Sequence, residues 1–326
     1  MGGCQSRPQT QETDLDMINY QEELRYFYVI CVMFNPARSR SSIKLYLNFK
    51  RQMERFGVKL ITIECAYEDA PFTLTRQNYE PHNIQVSTQS AFFQKERLIN
   101  LALNKLPNDA KYVVWCDYDV EFLNPLWVSD TIKALHVFKT VQVFDDVVSL
   151  GHNGEEIKKE RGFAAQLYEK PDMDKNAFES STITCGYAWG FRMEALKEIG
   201  GLLDFSPLGN CEKIMAYCLA KRMDDYVPSN LHANFKELVK AWQKKTSVTF
   251  SAGIGFIPGT IRVSWSFGRK DRKSFDKLEI LQGNNFDPKN DLFKDDNELY
   301  YLDFQKVKLK NDLKNHFIFL GGEMVE

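Results

Sequence analysis

Two carboxylates separated by one residue, Asp117 and Asp119, follow directly on the apolar run Tyr112–Cys116. A short apolar run with turn residues ahead of it is typical of a buried strand in an α/β sheet. Because side chains alternate along a strand, we expect both carboxylates to face the crevice at its carboxyl end, where open α/β sheets bind ligands. Carboxylate oxygens are hard ligands that suit Mg²⁺ or Mn²⁺ bridging a diphosphate. The pattern predicts a nucleotide site, although a D-x-D tripeptide also occurs at ordinary strand ends.

Strands and helices alternate around this pair of carboxylates. The sequence predicts strands at Tyr26–Phe34, Val58–Ile63, Tyr112–Cys116 and Thr140–Phe144, helices at Ser41–Phe56, Phe92–Leu106 and Trp127–Leu135, and a loop over 66–90. Such an alternation implies an α/β fold with a doubly wound, mostly parallel (mixed) sheet and helices on both faces.

The second half of the chain continues with helices and one further strand. Residues 150–180 are charged and irregular, which indicates a surface excursion or lid. We predict helices at Arg192–Ile199, Glu212–Arg222, Asn234–Lys244 and near Tyr301–Leu313, and a strand at Thr260–Trp265. Residues 1–20 are polar and lack apolar periodicity, so we predict a flexible tether followed by a single domain over residues 21–320.

The composition narrows the class of protein. Of the 326 residues, 44% are hydrophobic and 26% are charged, as in soluble globular proteins. A net charge of −2 gives no electrostatic reason to expect a nucleic acid partner. The seven cysteines are odd in number and form no C-x-x-C pair. We therefore expect the reduced thiols of a cytoplasmic protein rather than a disulfide framework or a zinc site.

The first residues match a lipidation pattern. In the run Met1–Ser6, Gly2 becomes the first residue once methionine is removed, and Ser6 stands at the position that N-myristoylation requires. Cys4 lies beside it and is a candidate for palmitoylation. One myristoyl chain gives marginal attachment and two acyl chains give stable anchoring. We therefore expect a peripheral protein on the cytoplasmic face of a membrane, unless these residues are an ordinary flexible tail.

Five segments rich in polar, glycine and aromatic residues follow one another along the chain. They are Asn35–Pro36 after the first strand, Phe93–Asn100, Asp117–Asp119, Gly186–Gly190, and Gly200–Leu202 running on to Gly209–Glu212. In this order they resemble the GT-A-fold glycosyltransferases, and galactosyltransferase-like enzymes most. The resemblance covers about residues 26–300, and five motifs in order are more specific than any one of them. It implies a GT-A-type sheet and the transfer of a sugar from a nucleotide-diphosphate donor, a UDP-sugar by preference, to an acceptor hydroxyl.

The resemblance also implies where the donor binds. Asn35, Arg38 and Lys95 match positions near the nucleotide and its phosphates. Asp117 and Asp119 match the D-x-D that holds the metal ion and the sugar nucleotide. A divalent cation, Mn²⁺ or Mg²⁺, would neutralise the leaving diphosphate.

On the acceptor side, the resemblance places Glu212 where the family has an acidic base for the acceptor hydroxyl, usually an aspartate. Tyr187, Trp189 and Phe191 would line the sugar and acceptor pocket. The chemistry of glycosyl transfer agrees with this arrangement, because it needs a carboxylate base near the nucleophile and an aromatic platform suits a sugar.

One element departs from the family pattern. The family commonly carries a His-x-x-His-Gly element in its last core strand, and one of these histidines completes the metal shell. Here the matching run is Ser264–Gly268, with Ser264 and Phe267 in the histidine positions, and none of the five histidines of the chain lies near it. The basic run Arg269–Lys273, which includes Lys273, would instead carry part of the diphosphate charge. We therefore expect weak metal binding in the absence of nucleotide.

Two other functional classes fit parts of the sequence. A haloacid-dehalogenase-type phosphatase also has an apolar strand ending in Asp-x-Asp, and Asp145–Asp146 imitates its later acidic motif. A full strand-helix-strand-helix unit ahead of the D-x-D argues against that class. A membrane-tethered GT-A-like protein that binds a nucleotide sugar without turnover fits the replaced histidines.

Single residues also have purely structural interpretations. Lys95 and Arg97 can belong to the solvated face of a helix, and Trp189 to the core. Glu212 can be a first-turn helix residue placed by the macrodipole, which is compatible with a role as base.

Overall fold

The computed structural model describes residues 19–36, 38–75, 82–90, 92–175, 182–264 and 277–319. The predicted tether over residues 1–20 lies almost wholly outside this part of the chain, and so do Gly2 and Cys4. Lys273 and the rest of the basic run after Ser264 lie outside it as well. The expectations for lipidation and for the basic run therefore stay predictions.

The strands and helices of the described residues follow one another along most of the chain. The strands are β1 (Phe27–Phe34), β2 (Lys59–Tyr67), β3 (Ile84–Thr88), β4 (Tyr112–Cys116), β5 (Val120–Phe122), β6 (Thr140–Gln142), β7 (Asp146–Leu150), β8 (Glu156–Gly162), β9 (Ile183–Thr184), β10 (Ala188–Arg192), β11 (Gly255–Phe256), β12 (Thr260–Val263), β13 (Leu292–Lys294) and β14 (Tyr300–Leu302). The helices are α1 (Tyr20–Glu23), α2 (Arg40–Arg55), α3 (Lys95–Leu103), α4 (Trp127–Val137), α5 (Phe163–Glu169), α6 (Met193–Ile199), α7 (Cys211–Leu219), α8 (Met223–Tyr226), α9 (Ala233–Thr249), α10 (Lys277–Gly283) and α11 (Val307–Phe319).

The main sheet has seven strands in the order β11-β6-β10-β4-β1-β2-β3. β1 pairs in parallel with β2 and with β4, β2 pairs in parallel with β3, and β6 pairs in parallel with β11. β10 runs antiparallel between β4 and β6. The predicted fold class, an α/β fold with a mostly parallel, mixed sheet, is confirmed.

A second sheet has five strands in the order β5-β12-β7-β8-β9; it contains the predicted strand Thr260–Trp265 as β12 and four strands that the sequence did not predict. The expectation that residues 150–180 are irregular is wrong for 156–169, because β8 pairs antiparallel with β7 and leads into α5. Most side chains of β8 are exposed, so this strand has no apolar alternation that reveals it.

The other differences concern shorter segments. β3 lies inside the predicted loop over 66–90 and extends the main sheet at its edge. The helix expected near Tyr301–Leu313 begins only at Val307, because β14 occupies the preceding residues and pairs with β13. The remaining predicted helices and strands are present, with shifts at their ends.

Two apolar cores cover the two faces of the main sheet. Alternate residues of β1 enter one core or the other, with Tyr28, Ile30 and Val32 on one face and Phe27, Val29, Cys31 and Met33 on the opposite face. α3, α6, α7 and α9 pack on the first core, and α2 and α4 pack on the second. Helices therefore lie on both faces, as predicted. Within the described ranges, no helix has both the length and the apolar character that crossing a bilayer requires.

The first turn of α3 is joined to the carboxyl-terminal part of the chain. Gln94, just ahead of α3, donates from Nε2 to the Tyr300 carbonyl at 3.0 Å and accepts at Oε1 from the Tyr300 N–H at 2.7 Å. Arg97 donates to the Glu298 carbonyl at 2.6 Å and forms ion pairs with the carboxylates of Glu298 and Asp204. The Arg97 side chain is buried, so the interpretation as a solvated helix face is wrong for this residue.

We expect Trp127, at the start of α4, to contribute to stability through its ring alone. It is 1% exposed and stacks on Phe122 with ring centroids 4.1 Å apart, and its indole N–H has no hydrogen-bond partner among the described residues. Trp127→Ala should lower the free energy of unfolding by about 3–5 kcal/mol, because it leaves a cavity. Trp127→Phe should lower it by less than half as much, since no hydrogen bond is lost. Denaturant unfolding measures both losses, and equal losses would contradict this account of the indole.

Candidate functional site

The Lys95 ammonium lies between two carboxylates beyond the carboxyl end of β4. Its Nζ is 2.5 Å from Oδ1 of Asp117 and also forms an ion pair and hydrogen bond with Oε1 of Glu212. The Lys95 side chain is only 8% exposed, and burying a charge is costly unless it is paired. The interpretation as a solvated helix face is therefore wrong for Lys95 too. We call Lys95, Asp117 and Glu212 the Lys95 cluster.

Three separate elements supply the cluster: the end of β4, the first residue of α3 and the first turn of α7. A parallel bridge between Phe93 and Leu208 holds the starts of α3 and α7 together. Gly209, next to this bridge, has a φ of 63°, and a Cβ there would lie 2.3 Å from Cδ1 of Phe93. A glycine is needed at this position both for its backbone conformation and for the close approach.

Gly186 and Tyr187, just ahead of β10, position both carboxylates of the cluster. The backbone N–H of Asp117 donates to the Tyr187 carbonyl at 2.9 Å. A Cβ at Gly186 would lie 2.8 Å from Oε2 of Glu212, so a larger residue there would displace this carboxylate. Tyr187 has a φ of 75°, which bulky residues rarely adopt and which is often retained at functional sites.

The charges of the cluster depend on one another. Burial disfavours the charged form of Lys95, but Asp117 and Glu212 outweigh this effect and hold the pKa of Lys95 well above its usual value. Burial raises the pKa of Glu212, and the Lys95 charge opposes that rise. A carboxylate with a raised pKa is a stronger base than an ordinary one, provided that it is ionised at the working pH.

Glu96, the second residue of α3, is a buried acid beside the cluster that sequence reasoning missed. It is 2% exposed, and its Oε1 has no hydrogen-bond partner among the described residues. Burial, followed by the charge of Glu212, raises the pKa of Glu96 to about 8. The raised pKa favours the protonated, uncharged form of Glu96 next to Glu212.

Asp119 has different surroundings from Asp117. It lines a cleft of about 260 Å³ together with polar and charged side chains of α2, of the segment after β4 and of the residue after β12. These include Asn48, Arg51, Gln52, Arg55, Tyr118, Glu121 and Ser264. The Ser264 N–H donates to the Asp119 carbonyl at 3.0 Å, so the position of the first replaced histidine lies beside the D-x-D. Because β4 ends at Cys116, both aspartates follow the strand and its alternation does not fix their directions.

A metal ion at this site would have carboxylate oxygens as its protein ligands. Within the described ranges, no three His, Cys, Asp or Glu side chains lie close enough together to hold a metal ion. Asp117 is ion-paired with Lys95, and Asp119 lines the cleft. This donor set fits a hard cation held through one or two carboxylates and completed by substrate phosphates and water. It does not fit a cation site formed before the substrate binds.

Asn35 and Arg38 line a second, smaller cavity where β1 and β2 end. The cavity, of about 70 Å³, is lined by Met33, Asn35, Arg38, Ile43, Glu64, Cys65, Ala66, Tyr67, Ala70, Pro71, Thr73 and Leu74. Asn35 holds the turn into α2, since its Oδ1 accepts from the Ser39 N–H at 2.9 Å and its Nδ2 donates to the Ser39 carbonyl at 3.1 Å. Arg38 is exposed, and the described lining of this cavity does not include Lys95.

Trp189 and Phe191 lie in the core, and the expectation that they line a sugar pocket is wrong in this structure. Both belong to β10 and are 2% exposed or less, and the Trp189 indole donates to the Cys185 carbonyl at 2.8 Å. Phe191 stacks on Trp115 with ring centroids 4.7 Å apart. Pairing of β10 with β4 turns these rings into the apolar layer, whereas Tyr187, ahead of the strand, is half-buried.

Comparison with known proteins finds similarity of structure without similarity of sequence. No family model matches the chain, and no curated protein matches it. The catalytic domain of Drosophila beta1,4galactosyltransferase 7 in complex with xylobiose is 13% identical, with a TM-score of 0.41 over 87% of this chain and 98% of that chain. S. aureus TarS in complex with UDP-GlcNAc is 13% identical, with a TM-score of 0.41 over 90% of this chain and 73% of that chain. A mutant of the Drosophila enzyme in complex with manganese, UDP-Gal and xylobiose is 14% identical, with a TM-score of 0.32 over 59% of each chain.

These solved structures are GT-A-type glycosyltransferases, the class that the sequence resembles. At 13–14% identity and TM-scores of 0.32–0.41, the similarity carries no further argument. It says nothing about the donor, the acceptor or the activity of this protein, so the function proposed below depends on the side chains of the site.

Glu96 gives the stability of the protein a dependence on pH. The pKa of a glutamate is about 4.3 in an unfolded chain, whereas that of Glu96 in the folded protein is about 8. The folded state therefore holds the extra proton between these values, and stability is lost as the pH rises through that interval. At about 1.4 kcal/mol per pKa unit, we expect a loss on the order of 5 kcal/mol that Glu96→Gln abolishes. Urea titrations across the interval measure it with exposed Glu279→Gln as control, and parallel profiles of wild type and Glu96→Gln would contradict it.

Proposed function

We propose that the protein is a glycosyltransferase that moves a sugar from a nucleotide-diphosphate donor to an acceptor hydroxyl with the help of a divalent cation. The observation that supports this most is the Lys95 cluster. In this cluster, Asp117 of the D-x-D and Glu212 at the start of α7 both pair with the buried ammonium of Lys95 at the carboxyl end of β4. The resemblance to galactosyltransferase-like enzymes favours a UDP-sugar as donor, and the acceptor is unassigned.

On the donor side, the cavity beside Asn35 and Arg38 would take part of the nucleotide, and Asp119 would hold the cation. When bound, Mn²⁺ or Mg²⁺ would neutralise the charge of the departing diphosphate. The Lys95 ammonium holds the Asp117 carboxylate at Oδ1, and the Tyr187 carbonyl holds the Asp117 backbone N–H. The other carboxylate oxygen of Asp117 therefore has a fixed direction in which it would accept a hydrogen bond from the sugar nucleotide. Lys273 and its basic neighbours stay predicted partners of the phosphates.

On the acceptor side, Glu212 would act as the base. It would take the proton of the acceptor hydroxyl while that oxygen forms a bond to the sugar and the bond from sugar to diphosphate breaks. Oε1 of Glu212 is engaged by Lys95, and Oε2 lies against Gly186, which has no side chain to cover it. Lys95 would keep Glu212 ionised, and it remains paired with Asp117 after the proton is transferred.

A non-catalytic nucleotide-sugar-binding protein is the second candidate function. The ion pair between Lys95 and Glu212 favours this candidate, because the pair occupies the proposed base. The replaced histidines favour it as well. The phosphatase is disfavoured, since Arg161 forms ion pairs with Asp145 at 3.3 Å and Asp146 at 3.0 Å. Either candidate would be held on the cytoplasmic face of a membrane by acyl groups on Gly2 and Cys4, which stays a prediction.

Asp119→Asn tests the donor site. The substitution replaces a hard anionic ligand with a neutral amide, so we expect the affinity for UDP in the presence of Mn²⁺ to fall at least about tenfold. The affinity for UDP without the metal should change little. Isothermal titration calorimetry with and without Mn²⁺ measures both values, and the exposed Asp109→Asn serves as control. An Mn²⁺-dependent affinity equal to that of the wild type would remove the central claim.

Glu212→Gln tests the proposed base. The rate of UDP release from a UDP-sugar should fall roughly a hundredfold while the affinity for UDP stays nearly intact, because proton abstraction is lost and the ground-state site is not. Gly186→Ala should reduce the rate in the same direction by displacing the carboxylate. Glu194→Gln is the matched control, because Glu194 is an exposed side chain in the first turn of α6. Donor affinity that falls in parallel with the rate would assign Glu212 to binding or structure instead.

A further inference from the structure

Glu64 is a buried carboxylate inside β2 that neither the sequence nor the proposed reaction accounts for. It is 6% exposed and is aligned with Met33 of β1 and Gln85 of β3 in the sheet. A charged side chain in a central strand is costly unless all of its hydrogen-bonding capacity is used. The partners of this carboxylate therefore indicate its purpose.

Three consecutive residues of the loop after β2 donate to Glu64. The backbone N–H groups of Thr73, Leu74 and Thr75 lie 2.7, 3.1 and 2.9 Å from its carboxylate oxygens. The hydroxyls of Thr73 and Thr75 donate to it at 3.2 and 2.7 Å. Five donors that converge on one side chain need an acceptor with two charged oxygens, which glutamate has and glutamine lacks.

The residues held by Glu64 form part of the wall of the cavity of about 70 Å³ beside Asn35 and Arg38, which we call the donor cavity. Thr73 and Leu74 line it, as do Glu64 itself and the Asn35 and Arg38 side chains across from the loop. Thr75 has a second anchor, because Gln85 of β3 donates from Nε2 to its carbonyl at 2.9 Å. The Glu64 carboxylate therefore holds Thr73, Leu74 and Thr75 together, and with them this part of the wall.

We propose that Glu64 is a positioning residue for the donor, which holds residues 73–75 against the ends of β1 and β2 and so sets the affinity of the cavity for a nucleotide. The proposal rests on the proposed function, since it assigns the cavity to the donor. Glu64 has no contact with the reacting groups of the Lys95 cluster among the described hydrogen bonds, so its effect falls on donor binding and not on the chemical step.

The test compares Glu64→Gln with Glu64→Asp and with the exposed Glu54→Gln on α2 as matched control. Hydrogen exchange of the peptide over residues 66–75 reports whether the loop is held, and calorimetry with UDP reports donor affinity. Steady-state UDP release from UDP-galactose separates KM from kcat. In Glu64→Gln we expect faster exchange, UDP affinity lower by about tenfold, and a raised KM with kcat within about twofold of the wild type. Glu64→Asp keeps both charged oxygens and should recover part of the affinity.

The outcomes separate this proposal from the function on which it depends. Faster exchange in Glu64→Gln with unchanged UDP affinity would overturn the proposal and leave the proposed function standing. An equal loss in kcat and in affinity would overturn it as well, because it would show a general structural role. Absence of UDP binding by the wild type would overturn the proposed function and the role of Glu64 together. If Glu64→Gln does not fold, Thr75→Val removes one hydroxyl donor and should lower UDP affinity by a smaller factor.

Discussion

Burial of the Lys95 charge constrains the arrangement of everything around the site. Removing a charge from water costs several kcal/mol even after the protein relaxes. Without partners, an ammonium that is 8% exposed would therefore become neutral or move out into the solvent. Two carboxylates meet that requirement, and they come from the end of β4 and from the start of α7. The ends of these elements and of α3 must therefore meet in one geometry, which the glycines at 186 and 209 make possible.

The same pairing decides how the site can receive an anionic substrate. One positive and two negative charges leave the Lys95 cluster with one net negative charge, and Glu96 adds none while it is protonated. A diphosphate brings further negative charge, so the cluster alone would repel it. In the proposed function, the compensating charges would come from a cation beside Asp119 and from arginines such as Arg38. In that function Asp117 stays paired with Lys95, and Asp119 would hold the cation.

Much of the fold could be predicted because periodic apolar patterns determine it locally. The buried residues of α2, Tyr46, Phe49 and Met53, recur at the helical period, and the continuous apolar run of β1 indicates a strand buried on both faces. β8 and β10 could not be predicted in this way. The side chains of β8 are mostly exposed, and β10 is an antiparallel strand of small and aromatic residues whose place depends on distant partners.

Three of the residues predicted for the site lie together in the structure, but their contacts could not be predicted. The order of motifs identified Lys95, Asp117 and Glu212, whereas their shared ion pairs depend on long-range packing that no local pattern encodes. Trp189 was misplaced because an aromatic residue in a glycine-rich run can face either a pocket or the core, and strand pairing decides between them. Glu64 was missed because a charged residue within an apolar run does not reveal its partner, and Glu96 because charged neighbours on both sides suggest an exposed helix turn.

The hydrogen bonds between Gln94 and Tyr300 join residues that are 206 positions apart in the chain. Gln94 directly precedes Lys95, so the start of α3 that carries Lys95 is hydrogen-bonded to β14, one of the last strands to be synthesised. A ribosome-bound chain can therefore form the early β-α-β units while this anchor is still absent, because amino-terminal parts fold first during synthesis. The order of synthesis thus makes completion of the site a late step, and a product truncated before β14 would keep the early strands but lack the fastening of α3.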